Sequence, residues 1–354
     1  MYKFFLFLQK ILNFMAKKHS KSSGGFRLIV LICGALAVGA LYLAGKPCVS
    51  HECEVYIPSG SSYGDLLSAV RDAGVGRMGV IDFVGRLKKL DRNPKVGHYT
   101  LSEGMTPMEV VTMLRSGEQR PIRLTFNNTR TLADLAGRIA GQIEADSLTL
   151  LNHLSASSTA KKYGVKQEEV IGLFIPNTYE VWWNISPEAL TDRMAKEWEK
   201  FWNKERTSKL SRTGLSKMEV ITLASIVYEE TKNVGEMPKI AGVYINRLRK
   251  KMPLQACPTA KYAIGDFTIK RVLHKHTQVK SPYNTYINRG LTPGPICTPS
   301  IAAIDAVLNY TNHSYIYFCA KEDFSGTHYF SKTLSEHNNY AARYTKALKK
   351  AGIK

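Results

Sequence analysis

The first strong feature in the pattern of apolar and polar positions is an uncharged run, LIVLICGALAVGALYLAG at 28–45, about as long as the apolar core of a bilayer requires. Beyond it the apolar positions come in short groups. Between 54 and about 118 lie VYIP, a Gly-Ser turn at 59–62, helical stretches at 63–73 and 78–87, the strand-like VGHYTL, and a helix opened by Thr106 with Pro107 at its first position and Glu109 at its third. This order predicts a compact unit that offers no paired carboxylates or nucleophile for chemistry. IRLTF at 122–126 reads as a strand leading into a larger mixed α/β region, 122–354, with amphipathic helices at 131–143 and 147–154 and a longer one from Ser186 and Pro187 to about 206. The fold class is α+β.

One helix departs from the amphipathic norm. In SKMEVITLASIVYEET, Ser216 and Glu219 form a capping-box signature, and Val220, Ile221, Leu223, Ala224, Ile226 and Val227 make the segment too apolar for a surface helix. At about 100° per residue those positions share a direction, with Glu230 roughly 70° from its centre and Glu229 roughly 170° away. Glu229 is therefore expected in water. Glu230 falls on the flank of the buried face, where desolvation raises a carboxyl pKa and makes a proton donor suited to glycosidic-bond cleavage. The plainer account is a helix-end glutamate paired with an Arg or Lys, and this helix taken alone favours it.

Ahead of that helix, GLFIPNTYEVWW at 172–183 is a dense aromatic run in a Gly- and Pro-punctuated segment. Such rings more commonly fill a core, but they also suit a sugar-binding wall. After it comes a helix at 237–251, and then three segments read as loops: MPLQACPTAKYA, SPYNTYINRGLTPGPICTP, and SYIYFCA with THYFSKTLSEHNNY behind it, the last rich in strand formers. Long ordered loops near one buried acid suggest a substrate groove.

Charge adds a direction. No acidic residue precedes Glu52, while six Lys and Arg precede the uncharged run, so residues 1–27 are expected in the cytoplasm, 28–45 as a transmembrane helix, and the remainder outside. A cleaved signal peptide is the competing reading, but the run exceeds a usual signal core. Met15 offers as good a start as Met1. The net charge of +20 is compatible with nucleic acid, an anionic membrane or an acidic polymer and does not choose among them. The six cysteines are too scattered for a disulfide framework, and no spacing suggests a metal site or cofactor. Cys48 and Cys53 are read equally as a local bridge or as two free thiols.

The order of segments resembles the YceG-like family of membrane-anchored endolytic murein transglycosylases. VGHYTLSEGMTPMEVVTMLRSGE resembles the end of the family's LysM-like module, here 54–118; GLFIPNTY its aromatic segment; ASIVYEET the helix with its catalytic glutamate; and VYINRLRKKMPLQACPT, PYNTY, GLTPGPI and HYFSKTLSEHN the blocks behind it. The resemblance places the catalytic residue on Glu230. It places substrate-binding residues on Phe174, Pro176, Thr178, Tyr179, Asn246, Gln255, Tyr283, Asn284 and Thr285. Two departures stand out: Cys257 replaces an Asp before Pro-Thr, which removes a carboxylate from the presumed groove, and Thr292 replaces the first proline of Leu-Pro-Pro-Gly, which is expected only to loosen a turn.

What the resemblance implies is a lytic transglycosylase with no metal or cofactor. Its partners would be peptidoglycan glycan strands, the lipid bilayer through the anchor, and peptidoglycan synthases, with nucleic acid excluded. A hydrolytic muramidase would need a second carboxylate to activate water, for which Asp266, Asp305 and Asp323 are the candidates. A non-catalytic, anchored scaffold would fit a Glu230 that is fully exposed, or neutralised in a buried ion pair away from any groove.

Overall fold

The computed structural model describes Gly34, Gly39 and residues 42–269 and 272–352. The predicted cytoplasmic tail, and the predicted span apart from Gly34, Gly39 and 42–45, lie outside these residues. Among the described residues no helix is long and apolar enough to cross a membrane. The chain divides into two compact units, Met1–Arg120 and Pro121–Lys354.

In the first unit, β1 (Cys53–Ile57) pairs antiparallel with β2 (Gly97–Leu101), Val55 opposite Tyr99. Between them lie α1 (Tyr63–Asp72) and α2 (Met78–Leu87), and α3 (Pro107–Ser116) follows. The helices start where the sequence says. Ser62 and Asp65 cap α1 reciprocally, as Thr106 and Glu109 cap α3. Val55, Ile57, Leu66, Val70, Ile81, Tyr99, Val110 and Leu114 form the core. Cys48 and Cys53 are both free thiols, and Cys48 donates to the Met105 carbonyl, so of the two readings the bridge is the one the structure sets aside.

The second unit holds two hydrophobic clusters. In one, β3 (Ile122–Phe126) pairs antiparallel with β4 (Asn177–Val181), packed on α4 (Leu132–Ala140), α5 (Ser147–Ser155) and α6 (Pro187–Phe201). The helix expected to reach about 206 stops at Phe201. Asn203 accepts from the Arg206 amide and starts a separate short helix, Lys204–Ser208.

The other cluster surrounds α7 (Lys217–Glu230), which packs against α8 (Met237–Arg249), α9 (Cys257–Ile264) and α10 (Ile301–Leu308). A hairpin of β5 (Tyr317–Ala320) and β6 (His328–Ser331) and the terminal α11 (Leu334–Lys350) complete it. Two of the segments read as loops thus contain helices: CPTAKYAI is α9, and α11 begins inside the segment ending in HNNY. α8 and the chain after α10 approach closely because Gly242 lacks a Cβ; one built there would meet the Thr311 carbonyl at 2.4 Å.

Candidate active site

Helix α7 is buried on every side along Val220 to Val227, Thr222 and Ser225 included. The Ser225 hydroxyl donates to the Thr222 carbonyl and accepts the Ile296 amide at 3.0 Å, tying the 290–299 loop to the helix. A helix enclosed all round has no wet face near its end, and this corrects the expectation for Glu229. Its side chain is only 13% exposed, and its carboxylate accepts from Arg130 Nη2 at 2.9 Å and Lys232 Nζ at 3.2 Å. Burial pushes this carboxyl up, but the Arg130 hydrogen bond and the charges of Lys232 and Arg130 outweigh it and hold the group below its ordinary value.

Glu230 closes α7 and, among the described residues, meets no cation within ion-pair distance. The Tyr244 hydroxyl, from α8, donates to Oε1 at 2.6 Å. Burial pushes the Glu230 carboxyl up to about 7; the Tyr244 hydrogen bond and the Lys261 charge pull the other way, and Glu229 adds to the rise. Glu230 lines a cavity of about 160 Å³, with Glu229 beside it, Cys257, Pro258, Lys261 and Tyr262 along one side of α9, Ile296 from the tied loop, and Arg130 and Phe267. Arg130 reaches this place because Asn128 and Thr129 are held to Thr298 by reciprocal backbone and side-chain bonds of 2.7–2.8 Å. Its guanidinium lies 4.9 Å from the centre of the Phe267 ring. A carboxyl half-protonated near neutrality, facing a cavity of sugar-ring dimensions, can give a proton and take one back.

Comparison with known proteins decides the family. The sequence profile of the YceG-like family matches residues 55–343. The chain belongs to the YceG-like family. A relative named endolytic murein transglycosylase from Bacillus subtilis (strain 168) is 30% identical over 336 residues, covering 87% of this chain and 91% of that protein. Another of the same name, from Streptococcus pneumoniae serotype 2, is 28% identical over 327 residues, covering 82% of this chain and 58% of its own length. A 2.6 Å crystal structure of a YceG-like protein from Listeria monocytogenes superposes with a TM-score of 0.54 at 31% identity, covering 82% of this chain and 98% of that one.

The other residues singled out for this YceG-like chain are placed as follows. Tyr283 is half-buried and stands 4.7 Å, centre to centre, from the cavity-lining Tyr262. Asn284 and Thr285 are buried: Asn284 donates to the Thr277 and Val279 carbonyls, while the Thr285 hydroxyl meets Thr259 at 2.7 Å and accepts the Ala256 amide, fixing the start of α9 where Cys257 sits. Gln255 is exposed with φ of 50° and accepts from Arg247. Asn246 donates to the His313 and Tyr315 carbonyls, a clamp between α8 and the following loop.

In the aromatic run Phe174 and Tyr179 are core, while Trp182 is 50% exposed. Phe174 and Tyr179 are 1% and 7% exposed, both ringed by Phe126, and the Tyr179 hydroxyl donates to the Ile175 carbonyl. Thr178 pairs across the strands with Thr125 at 2.8 Å, and Pro176 is half-buried. None of these four lines the cavity, which corrects the expectation of a sugar-stacking wall there. Thr292 is also corrected: its hydroxyl donates to the Gly294 carbonyl at 2.8 Å and closes the turn it was expected to loosen. Cys257 does stand in the cavity, its Sγ 3.1 Å from the Tyr286 hydroxyl, so the carboxylate it replaces is missing from the site itself.

Sequence reasoning missed Arg130, Tyr244, Lys261 and Tyr262. A signal existed for Tyr244, since a phenol on the apolar face of a buried helix must find a hydrogen-bond partner. Lys261 and Tyr262 follow Cys257 and Pro258 by one helical turn, legible once that segment is read as helix. Arg130 had no local signal, because 99 residues separate it from Glu229. Among the described residues no group of three His, Cys, Asp or Glu gathers as metal ligands.

Proposed function

We infer that this YceG-like protein is a lytic transglycosylase acting on peptidoglycan, with Glu230 as its acid and base. The observation that carries the assignment to Glu230 is a carboxyl that faces the cavity and meets no cation among the described residues, where burial pushes it up to about 7. Glu230 gives its proton to the oxygen between N-acetylmuramic acid and N-acetylglucosamine as the C1–O bond breaks. The resulting carboxylate takes the proton of the muramic C6 hydroxyl, whose oxygen bonds to C1 and closes the 1,6-anhydro ring. No water is consumed, and the enzyme ends in its starting protonation state.

Asp305 is engaged by Arg206 at 2.8 and 3.0 Å, Asp266 by Thr268 and Asp323 by Ser325, and none of them lines the cavity. The muramidase reading is left with Glu229 as its water-activating base, since it is an ionised carboxylate at the cavity. The scaffold reading requires a Glu230 exposed or ion-paired away from a groove, and neither condition holds.

The finer reading is that 28–45 anchors the chain in the cytoplasmic membrane, that the 54–118 unit is a LysM-like glycan-binding module, and that cleavage within strands ends the elongation of chains made by a neighbouring synthase. The basic flank and the segment resemblance support it. Incubating the purified chain with long isolated strands tests the endolytic part: mean strand length should fall before disaccharides accumulate. Disaccharides released from the outset, with the remaining strands still long, would point to attack from chain ends.

A further inference from the structure

The geometry points to Tyr244 as the positioning residue of the reaction: its hydroxyl occupies Oε1 of Glu230, and so leaves Oε2 as the oxygen that carries and delivers the proton. The inference rests on the reading of Glu230 as the acid. Tyr244 is 2% exposed and its ring is fixed edge-on against Phe318, 5.7 Å between centres. Its hydroxyl donates to Oε1 at 2.6 Å. Burial, followed by the neighbouring Glu230, keeps the phenol protonated well above its ordinary range, so it remains a donor throughout.

A carboxylic acid whose carbonyl oxygen accepts a strong hydrogen bond carries its proton on the other oxygen. When that proton leaves Oε2 for the glycosidic oxygen, charge spreads onto Oε1 and the phenol bond becomes charge-assisted, which stabilises the anion as it forms. The same bond holds the carboxylate in one rotamer while it turns from acid to base. Oε1 and Tyr244 exchange no proton with substrate, so the atom balance of the reaction is unchanged.

The other groups facing Glu230 define what a substitution must be read against. They are Glu229 on its own helix, Cys257 and Lys261 from α9, and Tyr286 from the loop that Asn284 fixes. Arg130 acts on Glu229, and Arg247 acts on Tyr244. Among the described residues only Tyr244 is in side-chain hydrogen-bond contact with the Glu230 carboxyl.

The test uses the full chain carrying Tyr244→Phe, with two readouts. Carbon-13 NMR follows the Glu230 carboxyl, identified by its loss in Glu230→Gln, and an assay follows anhydro-end release against pH. Loss of one hydrogen bond to a charged acceptor should raise the Glu230 midpoint by about one unit, move the alkaline limb of the rate profile with it, and lower kcat about tenfold with KM unchanged. A midpoint and limb equal to wild type, or a loss confined to KM, would overturn the assignment. If the Phe variant does not fold, 3,5-difluorotyrosine at position 244 keeps the shape with a stronger donor and should lower the midpoint; an unmoved midpoint again overturns it. A chain whose titration follows both substitutions but which releases no anhydro ends supports the Tyr244 contact and refutes the enzymatic reading instead.

Discussion

At the scale of single residues, two adjacent carboxyl groups at the end of α7 finish in different protonation states, because Glu229 has Arg130 and Lys232 to meet while Glu230, the more deeply buried, meets only a phenol among the described residues. Glu230→Gln keeps the shape and cannot donate a proton at a useful pKa, so anhydro-end release should fall by roughly 10²- to 10⁴-fold. Glu229→Gln removes a negative neighbour and frees Arg130; the Glu230 midpoint should move down and the alkaline limb with it, with a smaller loss of rate at acid pH. Rate profiles of the two variants separate these outcomes. Stability has its own sign. The folded Glu230 pKa of about 7 lies above its ordinary 4.5, so between those values the folded chain holds a proton the unfolded chain has released, and stability falls as pH rises through that window. Glu230→Gln has no such titration. It should match wild type below about pH 4.5 and exceed it above pH 7 by up to about 3 kcal/mol, read from denaturant midpoints. Helical periodicity placed Glu230 on the flank of the buried face, as found, and misjudged Glu229, since it assumed a wet face on a helix that neighbours enclose.

At the scale of elements, caps were the most legible feature, and helices predicted from Thr106, Ser186 and Ser216 all begin there. Capping is local chemistry between residues three apart. α9 was hidden among prolines and lacks a side-chain cap; Pro258 sits in its first turn, where proline is tolerated, and Gly265 ends it in the left-handed region. α11 was hidden by polarity, since Leu348 is its only buried residue. Tyr179 shows the other limit: an aromatic side chain has the same sequence signature in a core as in a binding wall. Placed against Phe126 under β4, it is a packing residue. Tyr179→Ala should therefore lower stability by about 3–5 kcal/mol and leave glycan binding per folded molecule unchanged. Thermal unfolding and pull-down on insoluble peptidoglycan, corrected for the folded fraction, measure both; weakened binding in a fully stable variant would return the ring to the substrate wall.

At the scale of the whole molecule, the cavity residues come from four separate stretches, near 130, 229–230, 257–267 and 296; the second was read from its helical pattern, 257–262 and 296 fall in segments read as groove loops, and nothing pointed to the stretch near 130. The others are brought together by long-range bonds such as Thr129 to Thr298 and Ala256 to Thr285, which no periodicity encodes. Topology rests on charge rather than on packing. With the basic flank cytoplasmic, a reporter fused after Ala351 should be active only if it is a periplasm- or exterior-type enzyme; activity of a cytoplasmic-type reporter there would reverse the orientation. In the proposed mechanism Glu230 alone serves as acid and base, and water is not the nucleophile. Digesting isolated glycan strands in heavy-oxygen water and weighing the products tests it most directly. New muramic ends should be one water lighter than reducing ends and free of heavy oxygen, and should be absent with Glu230→Gln. Reducing ends carrying one heavy oxygen, dependent on Glu229, would contradict it.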